Sequence, residues 1–177
     1  MYRERMETLK EWKVSKNRKP LIIRGARQVG KTWLMKEFGK LYYEKCAYIN
    51  FDNNSRMDIL FNEEFDLDRI IQGLKIESGI NIEPENTLII FDEIQETPKA
   101  LKTLKYFYEN ANEYHIVAAG SLLGVAMHQG TSFPVGKVNF MDLMPLSFFE
   151  FLDALGQEHL LNLLKNNEFD MISVFNN

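Results

Sequence analysis

One eight-residue motif constrains the fold of this chain more than any other feature. Residues 25–32 read GARQVGKT and match the pattern GxxxxGK[ST] in full. The motif follows the apolar run PLIIR at residues 20–24, which predicts a strand, and precedes a helical pattern from about Lys31 to Leu41. A glycine-rich loop between a strand and a helix is typical of parallel sheets that helices cover on both faces. The motif therefore predicts an α/β fold.

Each residue type in the motif has a physical role in binding phosphate. Gly25 and Gly30 permit backbone angles that turn amide N–H groups inward and form an anion nest. The helix that begins near Lys31 adds its positive N-terminal end. Lys31 reaches the β- and γ-phosphates, and the Thr32 hydroxyl binds magnesium. The motif thus predicts a site for a nucleoside triphosphate and Mg²⁺, formed by Gly25, Ala26, Arg27, Gln28, Val29, Gly30, Lys31 and Thr32.

An acidic pair stands at the end of a later apolar run, LIIFDE, where Asp92 and Glu93 follow a predicted strand. In a parallel sheet the carboxyl ends of the strands form the ligand-binding edge. Asp92 can hold the magnesium shell together with Thr32. Glu93 can polarise the water that attacks the γ-phosphate. The alternative is that both acids cap the next helix, but the complete phosphate loop favours the catalytic interpretation.

The rest of the chain alternates between strand-like and helical stretches. Strands are predicted at residues 46–51, 87–91 and 115–119 with a fifth within 135–143, and helices at 66–77, 98–110, 147–155 and 159–166. The third and fourth strands are continuous apolar runs, as expected for strands covered on both faces. The pattern predicts a three-layer parallel sheet in one domain spanning residues 1–177.

Several residues near the loop leave two interpretations open. Ser121, after the fourth strand, can sense the γ-phosphate or cap the following helix, and the two roles are compatible. Arg24 or Arg27 can neutralise phosphate charge, whereas Arg27 can equally pair with an acid and brace the loop. Trp12 and Trp33 fit either an adenine pocket or the hydrophobic core.

Composition places the chain among globular proteins. Hydrophobic residues make up 45% and charged residues 26% of the 177 residues. No apolar run approaches the roughly 20 residues of a membrane helix, and the N-terminal sequence lacks the apolar core of a secretory signal. The single cysteine, Cys46, predicts a reduced core residue. We expect a cytoplasmic protein that does not contact a membrane.

The charge is distributed unevenly along the chain. Residues 1–50 carry 13 lysines and arginines against 5 acids, a net +8, and residues 51–177 carry a net -12. One interpretation is an ordinary solvated N-terminal helix beside the phosphate-loop cations. The other is a basic face that makes weak, salt-sensitive contact with DNA. That face would comprise Lys10, Lys13, Lys16, Arg18 and Lys19.

Four segments together resemble a known family: RGARQVGKT, FDEIQ, AAGS and GKVNFMDLMPLSFFEFL. They are similar to bacterial and archaeal AAA-type ATPases with an R-G-x-R-x-V-G-K-T loop, over roughly Leu9 to Leu155. The motif P-L-S-F-x-E-F, here Pro145 to Phe151, is more diagnostic than the loop. The resemblance implies a RecA/AAA-like sheet with the glutamate-bearing strand beside the loop-bearing strand. It also implies further helical and nuclease-like domains, so we expect a helical tail at 145–177 that leads into them.

Carried over residue by residue, the resemblance assigns phosphate binding to residues 25–32 and γ-phosphate sensing to Ser121. It assigns magnesium binding and water activation to Asp92 and Glu93. Family members commonly have arginine where this chain has Lys137. Lys137 is a candidate cation for the transition state, supplied within one subunit or by a neighbouring subunit. Lysine lacks the bidentate fork of guanidinium, which puts this role in doubt.

The sequence therefore predicts an ATPase that uses Mg²⁺, and further copies of the chain in a homo-oligomer are one candidate partner. A nucleotide-operated binding switch with little turnover is the alternative, because neither a second sensor arginine nor an arginine at position 137 is present. A small-molecule kinase ranks third. A GTPase is disfavoured because the chain has no N-K-x-D motif.

Overall fold

The computed structural model describes residues 3–63, 65–120, 134 and 136–166. A short 3-10 turn, Ile94–Glu96, follows the third strand. The described helices and strands, in chain order, are α1 (Arg5–Val14), β1 (Leu21–Arg24), α2 (Lys31–Tyr42), β2 (Lys45–Asn50), α3 (Ser55–Asn62), α4 (Leu67–Ser78), β3 (Thr87–Asp92), α5 (Pro98–Asn110), β4 (His115–Gly120), β5 (Asn139–Asp142), α6 (Phe148–Ala154) and α7 (Glu158–Lys165).

The five strands form one sheet in the order β2-β3-β4-β1-β5, and every pairing is parallel. This confirms the predicted α/β fold. The expectation that the glutamate-bearing strand lies beside the loop-bearing strand was wrong, because β4 pairs with β1 on one side and β3 on the other. Apolar strands of similar length do not indicate which strands pair with each other, so the strand order could not be predicted from the apolar segments alone.

Alternate residues of the central strands point to opposite faces of the sheet, as the two-residue period of a strand requires. Ile89 and Phe91 belong to a core cluster with residues of α3, α4 and α5. Leu88 and Ile90 belong to a second cluster with residues of α1 and α2. All six residues of β3 and of β4 are buried. Two apolar clusters on either side of one sheet make the predicted three-layer arrangement.

The element boundaries agree closely with the sequence predictions, with one helix missed. The eight-residue helix α3 begins after Asn54, whose side chain accepts a hydrogen bond from the Met57 backbone N–H at 3.3 Å. Its buried face is short, with only Met57 and Phe61, so its periodicity is weak. Cys46 is a free thiol, half-buried against the α1–α2 side of the core. Among the described helices, none combines the length and the apolar character needed to cross a membrane.

Candidate functional site

The phosphate loop uses its two glycines for different reasons. Gly30 has φ 91°, a left-handed conformation that favours glycine, and it caps the N-terminus of α2. The φ of Gly25 is not positive, so the predicted conformational reason does not hold there. A Cβ at Gly25 would instead lie 2.3 Å from the Leu143 carbonyl oxygen. Gly25 is therefore required by the close approach of the segment that follows β5.

Lys31 folds over this loop from the first position of α2. Its side chain is buried, with 6% exposed, and Nζ donates hydrogen bonds to the carbonyl oxygens of Gly25 at 2.9 Å and Ala26 at 2.7 Å. Burial lowers the pKa of the Lys31 ammonium, while the nearby carboxylates of Glu93 and Asp92 oppose that shift. The ammonium group is thus held by carbonyls that a phosphate can replace.

Thr32 and Asp92 come together although 60 positions separate them in the chain. The Thr32 hydroxyl donates to Asp92 Oδ2 at 2.7 Å, at the carboxyl edge of the sheet. Tyr48, on β2, donates its hydroxyl to the same oxygen at 2.9 Å. Burial and the charge of Asp92 raise the pKa of the Tyr48 phenol, which keeps it a hydrogen-bond donor. The sequence predictions missed Tyr48, because the strand order decides whether Tyr48 lies next to Asp92.

Glu93 immediately follows β3 in a left-handed conformation with φ 52°, an arrangement that costs about 1 kcal/mol for a non-glycine residue. Gln95, in the 3-10 turn, donates from Nε2 to Glu93 Oε2 at 2.6 Å. The sequence predictions did not assign a role to Gln95, although the FDEIQ segment contains it. The structure therefore places an amide donor directly on the carboxylate predicted to activate water.

Lys31, Thr32 and Glu93 line one cleft of about 660 Å³, a volume in the range of small-molecule sites. Trp33 lines the cleft, whereas Trp12 is buried in the core and donates from Nε1 to the Lys19 carbonyl oxygen at 2.7 Å. Trp12 is therefore a core residue, as one interpretation held. The cleft is lined by Arg27, Gln28, Gly30, Lys31, Thr32, Trp33, Asp52, Glu93, Gln95 and Glu96.

The remaining predicted cations lie elsewhere or are engaged. Arg24 makes a bidentate contact with Asp142 on β5, at 2.8 and 2.9 Å, and so braces two strands. Lys137 precedes β5, at the amino edge of the sheet, and pairs with Glu109 at 2.9 Å. It thus lies at the opposite edge of the sheet from the cleft of its own chain, which does not favour a transition-state role within one chain. Ser121 lies outside the described residues.

The proposed basic face is largely occupied by local contacts. Lys10 pairs with Glu7 at 2.8 Å, and Lys13 donates to the carbonyl oxygen of Tyr42. Arg18 is buried, and Lys19 donates to the Gly136 carbonyl oxygen at 2.7 Å. These contacts favour the interpretation of an ordinary N-terminal helix over that of a basic face for DNA.

Comparison with known proteins assigns the fold and the family. The sequence model described as "AAA domain" matches residues 17–152. No curated protein sequence matches the chain significantly. Two solved structures are similar to this chain, each with a TM-score of 0.56. The Aeropyrum pernix ORC2 protein in its ADP form is 18% identical, and the match covers 90% of this chain and 53% of that chain. Drosophila ORC bound to DNA is 17% identical, and the match covers 86% of this chain and 45% of that chain. The chain spans about half the length of these structures.

Proposed function

This chain belongs to the AAA domain family, and we propose that it binds ATP with Mg²⁺ in the cleft and hydrolyses the γ-phosphate. The observation that carries the proposal is the Thr32–Asp92 hydrogen bond of 2.7 Å. It joins the phosphate loop to the acidic end of β3 at the edge where α/β sheets bind ligands. The ADP form of the similar Aeropyrum pernix ORC2 protein supports nucleotide as the ligand.

The residues present fit magnesium. Mg²⁺ prefers oxygen donors and is usually held by one or two protein groups plus phosphates and water. The hydroxyl of Thr32 and the carboxylate of buried Asp92 supply such donors side by side. When bound, the ion neutralises charge on the β- and γ-phosphate oxygens. Tyr48 would then remain as the donor that fixes the Asp92 carboxylate.

The chain's own groups account for the other requirements of the reaction. Lys31 exchanges its two carbonyl partners for phosphate oxygens, and the N-terminal amides of α2 stabilise the charge that develops during transfer. Glu93 orients the attacking water and accepts a proton from it at a carboxylate oxygen. Its left-handed backbone, φ 52°, turns the chain sharply at the end of β3, where the cleft opens.

A nucleotide-operated switch is the second candidate, and one contact favours it. Gln95 Nε2 donates to Glu93 Oε2 at 2.6 Å, so this carboxylate oxygen already has a partner and must exchange it before it can bind a water. In addition, among the arginines of the described part of the chain only Arg27 lines the cleft. Slow turnover would follow until a partner, a second copy of the chain or an attached domain releases Glu93 or supplies a cation.

The test of nucleotide binding is a titration of the protein with a fluorescent ATP analogue and Mg²⁺. Lys31→Ala is expected to weaken binding at least about a hundredfold, the effect of losing charge-assisted contacts worth roughly 3 kcal/mol. Lys40→Ala, on an exposed position near the far end of the same helix, is the matched control and keeps wild-type affinity. Equal affinity of wild type and Lys31→Ala at equal folded fraction would remove the proposal.

DNA contact is proposed only as a weak, salt-dependent interaction. Two similar structures are DNA complexes, Drosophila ORC and the Aeropyrum pernix ORC1 protein, the latter at 14% identity and a TM-score of 0.51 over 89% of this chain. In this chain the N-terminal cations are largely engaged, so we expect binding to disappear near 150 mM salt. Sub-micromolar binding in a mobility-shift assay at about that salt concentration would contradict this expectation.

A further inference from the structure

Arg3 is a buried arginine next to the phosphate loop, on the segment that precedes α1. Only 4% of it is exposed. Its Nη1 donates to the Val29 carbonyl oxygen at 3.2 Å, and its Nη2 donates to the Met144 carbonyl oxygen at 2.7 Å. A Cβ at Gly30 would lie 3.8 Å from Nη1. One guanidinium thus connects the N-terminal segment, the loop and the segment after β5.

The third partner of Arg3 is Glu150, the glutamate of the P-L-S-F-x-E-F motif. Arg3 Nε lies 3.2 Å from Glu150 Oε1, in an ion pair whose side chains are 4% and 8% exposed. The same carboxylate accepts the backbone N–H of Glu4 at 3.0 Å and that of Ser147 at 2.9 Å. The Ser147 contact belongs to a capping box at the start of α6. Glu150 therefore ties α6 to the arginine that holds the loop.

The contact with Val29 determines how the next peptide points. The peptide between Val29 and Gly30 is trans, so its C=O and N–H point in opposite directions. Because Arg3 holds the carbonyl oxygen, the Gly30 N–H points away from Arg3. A buried ion pair seldom adds much net stability, so a gain in fold stability does not by itself explain this arrangement.

We propose that Arg3 and Glu150 are positioning residues for nucleotide binding, which hold the Val29–Gly30 peptide with its N–H turned into the anion nest and link the nest to α6. The inference rests on the proposed function, because it needs a phosphate ligand in the loop. It gives the Pro145–Phe151 motif a role: Ser147 and Glu150 build the support of the loop. The exposed aromatic residues of the motif, Phe148, Phe149 and Phe151, then lie on a helix that this pair joins to the nucleotide site.

The experiment measures ADP and ATP affinity, kcat and unfolding free energy for wild type, Arg3→Ala, Arg3→Lys and Glu150→Gln. Arg3→Ala is expected to weaken affinity for both nucleotides about tenfold, which equals 1.4 kcal/mol, with kcat at saturating ATP nearly unchanged. Glu150→Gln is expected to weaken nucleotide affinity less than Arg3→Ala does. A double variant that combines Arg3→Ala with Glu150→Gln should bind nucleotide as tightly as Arg3→Ala alone, since both substitutions act through one contact. Arg3→Lys recovers part of the affinity because it keeps a cation near the Val29 carbonyl.

Two control variants separate positioning from general stability. Lys45→Met breaks an exposed ion pair with Glu83 at the amino edge, and Ile82→Val trims a buried side chain there. Both are expected to keep wild-type nucleotide affinity. The inference is overturned if Arg3→Ala binds ADP with wild-type affinity. If Arg3→Ala does not fold, the inference is overturned when Arg3→Lys and Glu150→Gln both bind ADP with wild-type affinity. If wild type itself binds no nucleotide, it is the proposed function that fails.

Discussion

The two edges of the sheet use similar polar groups in opposite ways. At the carboxyl edge, Lys31 donates to loop carbonyls and Thr32 donates to Asp92, beside an open cleft. At the amino edge, buried His115 forms a hydrogen bond between its Nδ1 and the Tyr43 hydroxyl at 2.7 Å, and its ring packs beside that of Trp12. The first set lies where a ligand can enter, whereas the second is enclosed by aromatic side chains.

In this sheet, ligand binding and stability depend on groups at opposite edges. Carboxyl-edge groups contact partners that a phosphate or a cation can replace, and Gln28 and Glu93 both adopt left-handed conformations there. Strain of this kind is tolerated where the surrounding structure fixes it and where function uses it. At the amino edge, buried His115 has its hydroxyl partner Tyr43 among packed aromatic rings, so this contact stabilises the fold. Mutations at the two edges should therefore change different measured quantities.

The largest expected effect is that of Glu93→Gln at the carboxyl edge. The substitution keeps the shape of the side chain but removes the carboxylate that we propose accepts a proton from water. We expect kcat to fall about a thousandfold, near 4 kcal/mol, while ATP affinity stays close to wild type. Phosphate release and ATP binding, measured on the same preparation, check both statements.

Glu96→Gln is the matched control for this substitution. Glu96 lines the same cleft and is exposed, and its Oε1 accepts a 3.3 Å hydrogen bond from Gln95. It should retain nearly full turnover. Undiminished phosphate release by Glu93→Gln would reassign Glu93 to the sharp turn after β3, and the carboxyl edge would then lose its proposed base.

The second prediction concerns pH and the amino edge. Burial, with the nearby charges of Arg18 and Lys13, lowers the pKa of His115 to about 4 from an ordinary value near 6.5. The unfolded chain therefore binds this proton first as the pH falls. The contribution of neutral His115 to the free energy of unfolding is fully present above about pH 6.5 and is lost progressively between about pH 6.5 and 4. At pH 5 the loss is roughly 2 kcal/mol.

Urea unfolding at pH 7 and pH 5 measures this loss. His115→Gln has no titrating side chain but can still accept the Tyr43 hydroxyl, so its stability should fall less between the two pH values. His159→Gln, at an exposed position of α7, is the control and should follow wild type. Identical pH dependence in wild type and His115→Gln would show that the amino edge does not store energy in this way.

The fold and the position of the glycine-rich loop were largely predictable because their signals are local. The loop motif fixes Lys31 and Thr32 next to each other, and apolar runs of the right length fix β3 and β4. Tyr48 was not predictable, since its contact with Asp92 depends on β2 pairing with β3. Arg3 and Glu150 were not predictable either, because their contact spans nearly the whole domain. Local patterns locate groups, whereas long-range pairing decides which groups meet.

Tyr48→Phe tests one such long-range contact at the carboxyl edge. The variant removes the 2.9 Å hydrogen bond to Asp92 Oδ2 and keeps the ring, over which Lys36 Nζ lies at 3.6 Å. A single hydrogen bond to a charged group is worth about 1.5 kcal/mol, so we expect the Mg²⁺ concentration for half-maximal ATP binding to rise about tenfold. Tyr43→Phe removes a hydroxyl at the amino edge and should leave this concentration unchanged. An equal shift in both variants would contradict the division between edges.

The smallest effects are expected for two cations at opposite edges of the sheet, Arg27 and Lys137. Arg27 lines the cleft on the phosphate loop, whereas Lys137 pairs with Glu109 beyond the amino edge. Removing an exposed charge near phosphate costs about 0.5 kcal/mol after solvent screening, so Arg27→Ala should weaken ATP affinity roughly twofold and lose that effect at high salt.

Lys137→Ala should leave both ATP affinity and turnover at wild-type values, because its ammonium group lies on the opposite edge of the sheet from the reacting phosphate. Measurements at low protein concentration report on the isolated chain, and measurements at high concentration report on any assembly of copies. A loss of turnover in Lys137→Ala that appears only at high concentration would mean that the amino edge of one copy meets the cleft of another. The separation of the two edges would then hold within a single chain and fail between chains.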